Sequence, residues 1–134
     1  MTLRHLILGL AAAALPVLAH AAAGPAVPGD AAKGEATFKT MCGVCHVAVD
    51  DGKPHPGPVL AGVVGRKAAS VPGFKYSPAL KSSGQTWTAP KLDAFLANAQ
   101  GMVPGTFMVV KLANPEQRQN VVAYLNTLKG PAKK

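Results

Sequence analysis

Five residues, Cys42-Gly43-Val44-Cys45-His46, constrain this chain more than anything else in its sequence. On a helical turn, side chains three and four positions apart share a face. Both thiols and the imidazole of His46 can therefore point to one side. The thiols can add to the two vinyl groups of a haem as thioethers, and an imidazole nitrogen can reach the iron. C-x-x-C-H is the attachment signature of c-type haem, and it is specific because three reactive groups must coincide at fixed spacing. A fold that satisfies it has to be built around a large flat apolar group.

Three other chemistries use paired cysteines. A thioredoxin-like redox pair belongs beside a βαβ pattern, and none is visible here. A structural zinc site needs four ligands, and outside the first 21 residues only His55 could join this cluster. A disulfide across so short a loop would constrain little of the unfolded chain.

The N-terminus reads as an export signal. Arg4 and His5 are followed by an apolar run from Leu6 to Ala19 and a small-x-small site at Ala19-His20-Ala21. The run is interrupted by Pro16 and falls short of the roughly 20 residues a spanning helix needs. We expect residues 1–21 to be a cleaved signal peptide, 22–29 a flexible leader, 30–130 one domain and 131–134 a tail. The expected location is the periplasm or an equivalent compartment, with no stable membrane insertion.

Composition supports a globular cofactor protein. Hydrophobic residues make up 49% and charged residues 15%, but aromatics only 5%. A core of Ala, Val and Leu gains much from a large apolar ligand. The formal charge of +8 favours acidic partners. The basic residues are scattered and no nucleic-acid-binding motif accompanies them, which argues against nucleic acid.

Three helices are expected. Asp30 can cap one that runs through Phe38 towards Cys42. Thr88 can cap a second, with Pro90 in its first turn and Leu92, Phe95, Leu96 and Ala99 on one buried face. Asn114-Pro115 opens a third, with Gln117 completing a capping box and Val121, Tyr124, Leu125 and Leu128 on its apolar side. Gly130-Pro131 ends it. The stretch from Val47 to Tyr76, rich in Pro and Gly, shows neither helical nor strand period. So long an irregular segment suits a loop wrapped around a cofactor.

A sixth iron ligand must come from elsewhere. Met41 adjoins the attachment turn on the His46 side. His55 sits in a proline-bracketed segment suited to bracing. Met102 and Met108 both follow the second helix, and spacing alone does not separate them.

The chain resembles class I c-type cytochromes of the mitochondrial and proteobacterial kind. The resemblance runs from Gly29 to about Gly130. It rests on Gly34, Phe38, Cys42 to His46, Gly57-Pro58 with Leu60, Gly65-Arg66-Lys67, Pro72-Gly73-Phe74 with Tyr76, Trp87, Pro104-Gly105-Thr106 with Met108, and Ala123-Tyr124-Leu125. It implies an all-α, single-domain cytochrome c fold, with N- and C-terminal helices crossing and long loops wrapping one haem c held by two thioethers. Cys42 and Cys45 would carry the thioethers, and His46 and Met108 would be the axial ligands. The Pro58 carbonyl would orient His46. Arg66, Tyr76 and Trp87 would meet a haem propionate, Thr106 would lie near the methionine, and Gly34, Phe38 and Tyr124 would form the helix crossing.

Some positions depart from the family. Phe95 stands where a tyrosine is common, Leu80 and Val59 replace asparagines, and Gln100, Gly101 and Phe107 replace lysines around the haem edge. The implied function is a soluble, monomeric electron carrier and not an enzyme. Its partners would be membrane or periplasmic redox proteins: a quinol-oxidising complex, a terminal oxidase or a dehydrogenase. Lys39, Lys53 and Lys111 could steer docking. The other readings are a haem peroxidase or gas-binding protein with a labile sixth ligand, or an acceptor dedicated to one periplasmic dehydrogenase.

Overall fold

The computed structural model describes residues 29–130. The expected signal peptide, nearly all of the leader, and the tail lie outside them. Five α-helices form among the described residues: α1 (Ala31–Thr37), α2 (Pro78–Ser82), α3 (Ala89–Ala97), α4 (Ala99–Met102) and α5 (Pro115–Thr127). The described residues contain no strand, only one isolated antiparallel bridge between Lys67 and Thr86.

The caps sit where the sequence places them. Asp30 accepts from the backbone N–H groups of Ala32 and Lys33, Thr88 from Lys91, and Asn114 from Gln117. The first helix widens after Thr37 and passes into a π-helical turn, Phe38–Cys42, where Gly43 N–H donates to the Phe38 carbonyl at 2.7 Å. The extra residue in the turn buries Phe38 and Cys42 together.

Two expectations are corrected. The second helix does not carry Ala99: the backbone breaks at Asn98, whose side chain accepts from Gly101 N–H and starts α4. Ala99 is still buried. The segment 77–87, read without an element, contains α2, capped by Ser77 with Pro78 in its first turn.

Helices α1 and α5 cross closely. A Cβ on Gly34 would collide with the Asn120 carbonyl, so only glycine admits this approach. Phe38 and Tyr124 pack with ring centroids 5.2 Å apart. The buried Asn120 side chain also accepts from Asp30 N–H at 2.7 Å, which pins the start of the domain to α5. Arg118 ties α5 to α3 through Asp93 at 3.0 Å and donates to the Leu112 and Ala113 carbonyls at 2.9 Å. The irregular segment 47–76 has neither helix nor strand, as its sequence suggested, and it forms one side of a large central cavity.

Candidate functional site

The cavity, about 260 Å³, lies between α3, α5, the attachment turn and the loops 56–77 and 106–110. Well-packed interiors hold few voids larger than a water molecule. This one is lined mainly by apolar side chains, among them Phe38, Leu60, Val63, Leu92, Phe95, Leu96, Val121 and Leu125. All nine residues expected at the site line it: Cys42, Cys45, His46, Pro58, Arg66, Tyr76, Trp87, Thr106 and Met108.

The attachment turn is built by backbone bonds. Cys45 and His46 N–H both donate to the Cys42 carbonyl, at 3.0 and 2.9 Å. Both thiols are free. Burial, and then the neighbouring Cys45, push the Cys42 thiol above its ordinary pKa, so it is held as the neutral thiol.

His46 is braced on two sides. Its Nδ1 lies 2.7 Å from the Pro58 carbonyl oxygen. A carbonyl can only accept, so Nδ1 carries the proton and Nε2 keeps its lone pair. Gly57 lies flat against the ring: a Cβ there would fall 2.6–2.9 Å from three ring atoms. The peptide bond that holds Gly57 is itself fixed, with Gly57 N–H donating to the Cys45 carbonyl at 2.8 Å. Burial pushes the imidazole below its usual pKa, against the raising effect of the Pro58 bond, and keeps it neutral.

Polar groups gather at one end of the cavity. Arg66 and Trp87 are set beside each other by a short pairing: Gly65 N–H donates to the Trp87 carbonyl at 2.7 Å and Trp87 N–H to the Arg66 carbonyl at 2.9 Å. The Arg66 guanidinium donates to the Ala61 and Val59 carbonyls, and burial lowers its pKa, yet it stays charged. No carboxylate pairs with it among the described residues, so an anionic group in the cavity would find an uncompensated cation. The Tyr76 hydroxyl accepts from Val71 N–H at 3.3 Å, which leaves its own proton free to donate. Trp87 stacks at a tilt on Phe95, 4.8 Å between centroids.

The two methionines are now separated in space. Met108 lines the cavity. Met102 does not, although both methionines pack half-buried against the core. His55 lies outside the cavity and bonds Asp51 at 2.8 Å. Ser77 went unread in the sequence. It is buried at the cavity wall, and its hydroxyl oxygen caps α2 by accepting from Leu80 N–H, so its proton is free. The only signal for it was a Ser-Pro pair that could start a helix.

An apolar slot with two free thiols and a buried imidazole of fixed tautomer suits a covalently attached haem. A cation and hydroxyl donors grouped at one end suit the polar edge of that group.

The family model for cytochrome c matches residues 31–129. Cytochrome c2 of Rhodomicrobium vannielii is 50% identical over 103 residues, covering 76% of this chain and 82% of that protein. The solved ferricytochrome c2 of Rhodopseudomonas palustris aligns with a TM-score of 0.68 at 45% identity, over 75% of this chain and 99% of the other. Cytochrome cH from Methylobacterium extorquens aligns with a TM-score of 0.67 at 42% identity, over 74% and 99%.

Proposed function

The chain belongs to the cytochrome c family, an electron carrier with one covalently bound haem c, and on that premise we propose that it is a periplasmic shuttle with histidine–methionine ligation. Haem c supplies the one-electron chemistry, since its iron can hold either of two oxidation states. Cys42 and Cys45 hold the two thioethers. His46 presents Nε2 to the iron, with its proton parked on Nδ1 against Pro58. Met108 offers a thioether sulfur from the opposite loop. Methionine with histidine raises a haem potential relative to two histidines.

The remaining polar residues keep charge balanced at the site. Arg66 offsets the propionates, Tyr76, Trp87 and Ser77 donate to them, and Thr106 stands by the methionine. The observation that carries the ligand assignment is that Met108 lines the cavity and Met102 does not; Met41 also lines it, but adjoins the attachment turn that carries His46. Among the described residues no helix is long and apolar enough to cross a membrane. Export rests on the N-terminal sequence.

Replacement of each methionine tests this reading. Met108→Ala should abolish the methionine–iron absorbance, lower the potential and admit carbon monoxide. Met102→Ala should do none of these. The reverse pattern would overturn the assignment.

The partner contact is read as mixed. Phe107 and Val109, 70% and 80% exposed, flank Met108 and supply an apolar centre. Lys53 and Lys111 are exposed and can steer an acidic partner. Lys39 is held by Glu35 at 2.8 Å and contributes less. Charges more than about 8 Å apart are largely screened at physiological salt, and electron-transfer contacts are small. Electron-transfer rates to an acidic partner should therefore fall with salt less steeply than for a lysine-ringed relative.

A further inference from the structure

The loop that bears Met108 has little main-chain support. From Phe107 to Lys111, no backbone group hydrogen-bonds to another backbone group among the described residues. The preceding turn is made by Thr106 N–H donating to the Val103 carbonyl at 3.0 Å, with Gly105 at φ +88°. Beyond the loop, Leu112 N–H donates to the Leu96 carbonyl at 2.9 Å. Between these anchors one side chain reaches the loop. Gln100, on α4, donates from Nε2 to the Thr106 carbonyl and points more distantly, at 3.5 Å, towards the Met108 carbonyl. Its Oε1 accepts from Gly105 N–H at 3.3 Å.

We propose that Gln100 is the positioning residue for Met108, a side-chain clip that holds the ligand loop closed and so sets how readily the sixth iron position opens. The proposal rests on Met108 being that ligand. A primary amide is the group that can do this, because it donates and accepts from one planar end. It thereby bridges both sides of Thr106. A lysine at this position could donate but not accept. A glutamate could accept but not donate, and would face the two carbonyls with like partial charge. The loop is anchored at both ends, and the clip acts on its N-terminal side, at Gly105 and Thr106, with a longer reach to the Met108 carbonyl. Release of the clip should therefore free the methionine without unfolding the domain.

The test uses the full haem-loaded protein as wild type, Gln100→Leu, Gln100→Glu and Met108→Ala. Three quantities are read: imidazole affinity for the ferric form, the urea midpoint for loss of the methionine–iron band, and the urea midpoint for loss of helical circular dichroism. Exchange of the Gly105 amide proton is a fourth readout, independent of the iron. Loss of the clip should raise imidazole affinity about tenfold, the order expected for one or two net hydrogen bonds. The band midpoint should move to lower urea while the helical midpoint stays near wild type. Gly105 exchange should accelerate in Gln100→Leu and remain closer to wild type in Gln100→Glu, which keeps the acceptor.

If the band survives in Met108→Ala, the ligand reading fails first, and the clip with it. If Met108→Ala loses the band but both Gln100 variants leave imidazole affinity and band midpoint unchanged, the clip alone is refuted. Parallel falls in the band and helical midpoints would assign Gln100 to general stability and also refute it.

Discussion

The two walls of the cavity are held by different means. On the His46 wall the main chain does the holding: Gly57 N–H bonds Cys45, Leu60 N–H bonds Val47 at 3.0 Å, and the Pro58 carbonyl fixes the ring. On the Met108 wall the loop rests on one glutamine side chain, and two of its apolar residues face solvent. Regions with few buried contacts and little backbone bonding open first. The two proposed ligands should therefore differ in how easily they leave, with histidine permanent and methionine exchangeable. A carrier gains from this only if the methionine loop stays shut during turnover.

The largest expected effect is on the permanent wall. Cys42→Ala with Cys45→Ala removes both attachment points and should leave little or no covalent haem, read by haem staining after denaturing electrophoresis. Full covalent haem in that double variant would defeat the assignment of the motif.

Next come two glycines that oppose the walls directly. Gly57→Ala drives a methyl to 2.6–2.9 Å from the His46 ring, and the Pro58 bond prevents the ring from yielding. Overpacking of this kind costs about 1–3 kcal/mol. We expect lower urea stability and a reduced yield of attached haem. Gly105→Ala forces a Cβ onto a backbone at φ +88°, a cost of about 1–2 kcal/mol. It should leave attachment intact and weaken the methionine–iron band. Should both variants lose the same property to the same degree, the contrast between the walls is wrong.

This contrast was only half legible in the sequence. The attachment turn was readable because its chemistry requires fixed spacing, and Asp30, Thr88 and Asn114 were readable as caps because capping is local. The residues that brace from a distance were not. Asn120 meets Asp30 across 90 residues of chain, and Arg118 meets Asp93 across 25. Gln100 looked like a missing lysine, because sequence shows which charge is absent and not which carbonyls an amide reaches. Sequence alone could not place Met108 over Met102, since both come shortly after the α3 pattern. In the structure Met102 ends α4 and is absent from the cavity wall, whereas Met108 lines it from the loop beyond.

Between the walls lies the loop 67–76, and Tyr76 tests whether it belongs to the permanent side. Tyr76 is buried, with its ring edge on Phe74 at 4.8 Å between centroids. Burial is the main cause that lifts its pKa above the ordinary phenol value of 10.0, outweighing the Val71 bond and Arg66. The unfolded chain therefore gives up this proton at lower pH than the folded one. Its contribution is complete below about pH 10 and is lost as pH rises through the higher folded value. Tyr76→Phe should flatten the alkaline fall of stability, measured by urea unfolding at stepped pH. The methionine–iron band should respond to pH as in wild type. A shifted band would join this loop to the methionine wall.

The smallest effect expected is at Ala69, in the same loop. It is the one non-glycine described residue with positive φ, at 55°. Its neighbours fix that pose: Ala68 N–H donates to the Gln85 carbonyl at 2.8 Å and the Ser70 hydroxyl to the Lys67 carbonyl at 2.6 Å. A left-handed alanine costs about 1–2 kcal/mol. Glycine removes that cost but adds unfolded-chain entropy of roughly 0.5–1 kcal/mol. Ala69→Gly should therefore stabilise by about 0–1.5 kcal/mol, seen as a small rise in the urea midpoint. Because the two bonds already set the loop, neither the potential nor imidazole affinity should change. A loss of stability would show that the Ala69 methyl, which lines the cavity, contributes more by packing than its backbone costs in strain. The loop would then count as part of the cofactor's apolar wall and not as a strained connector.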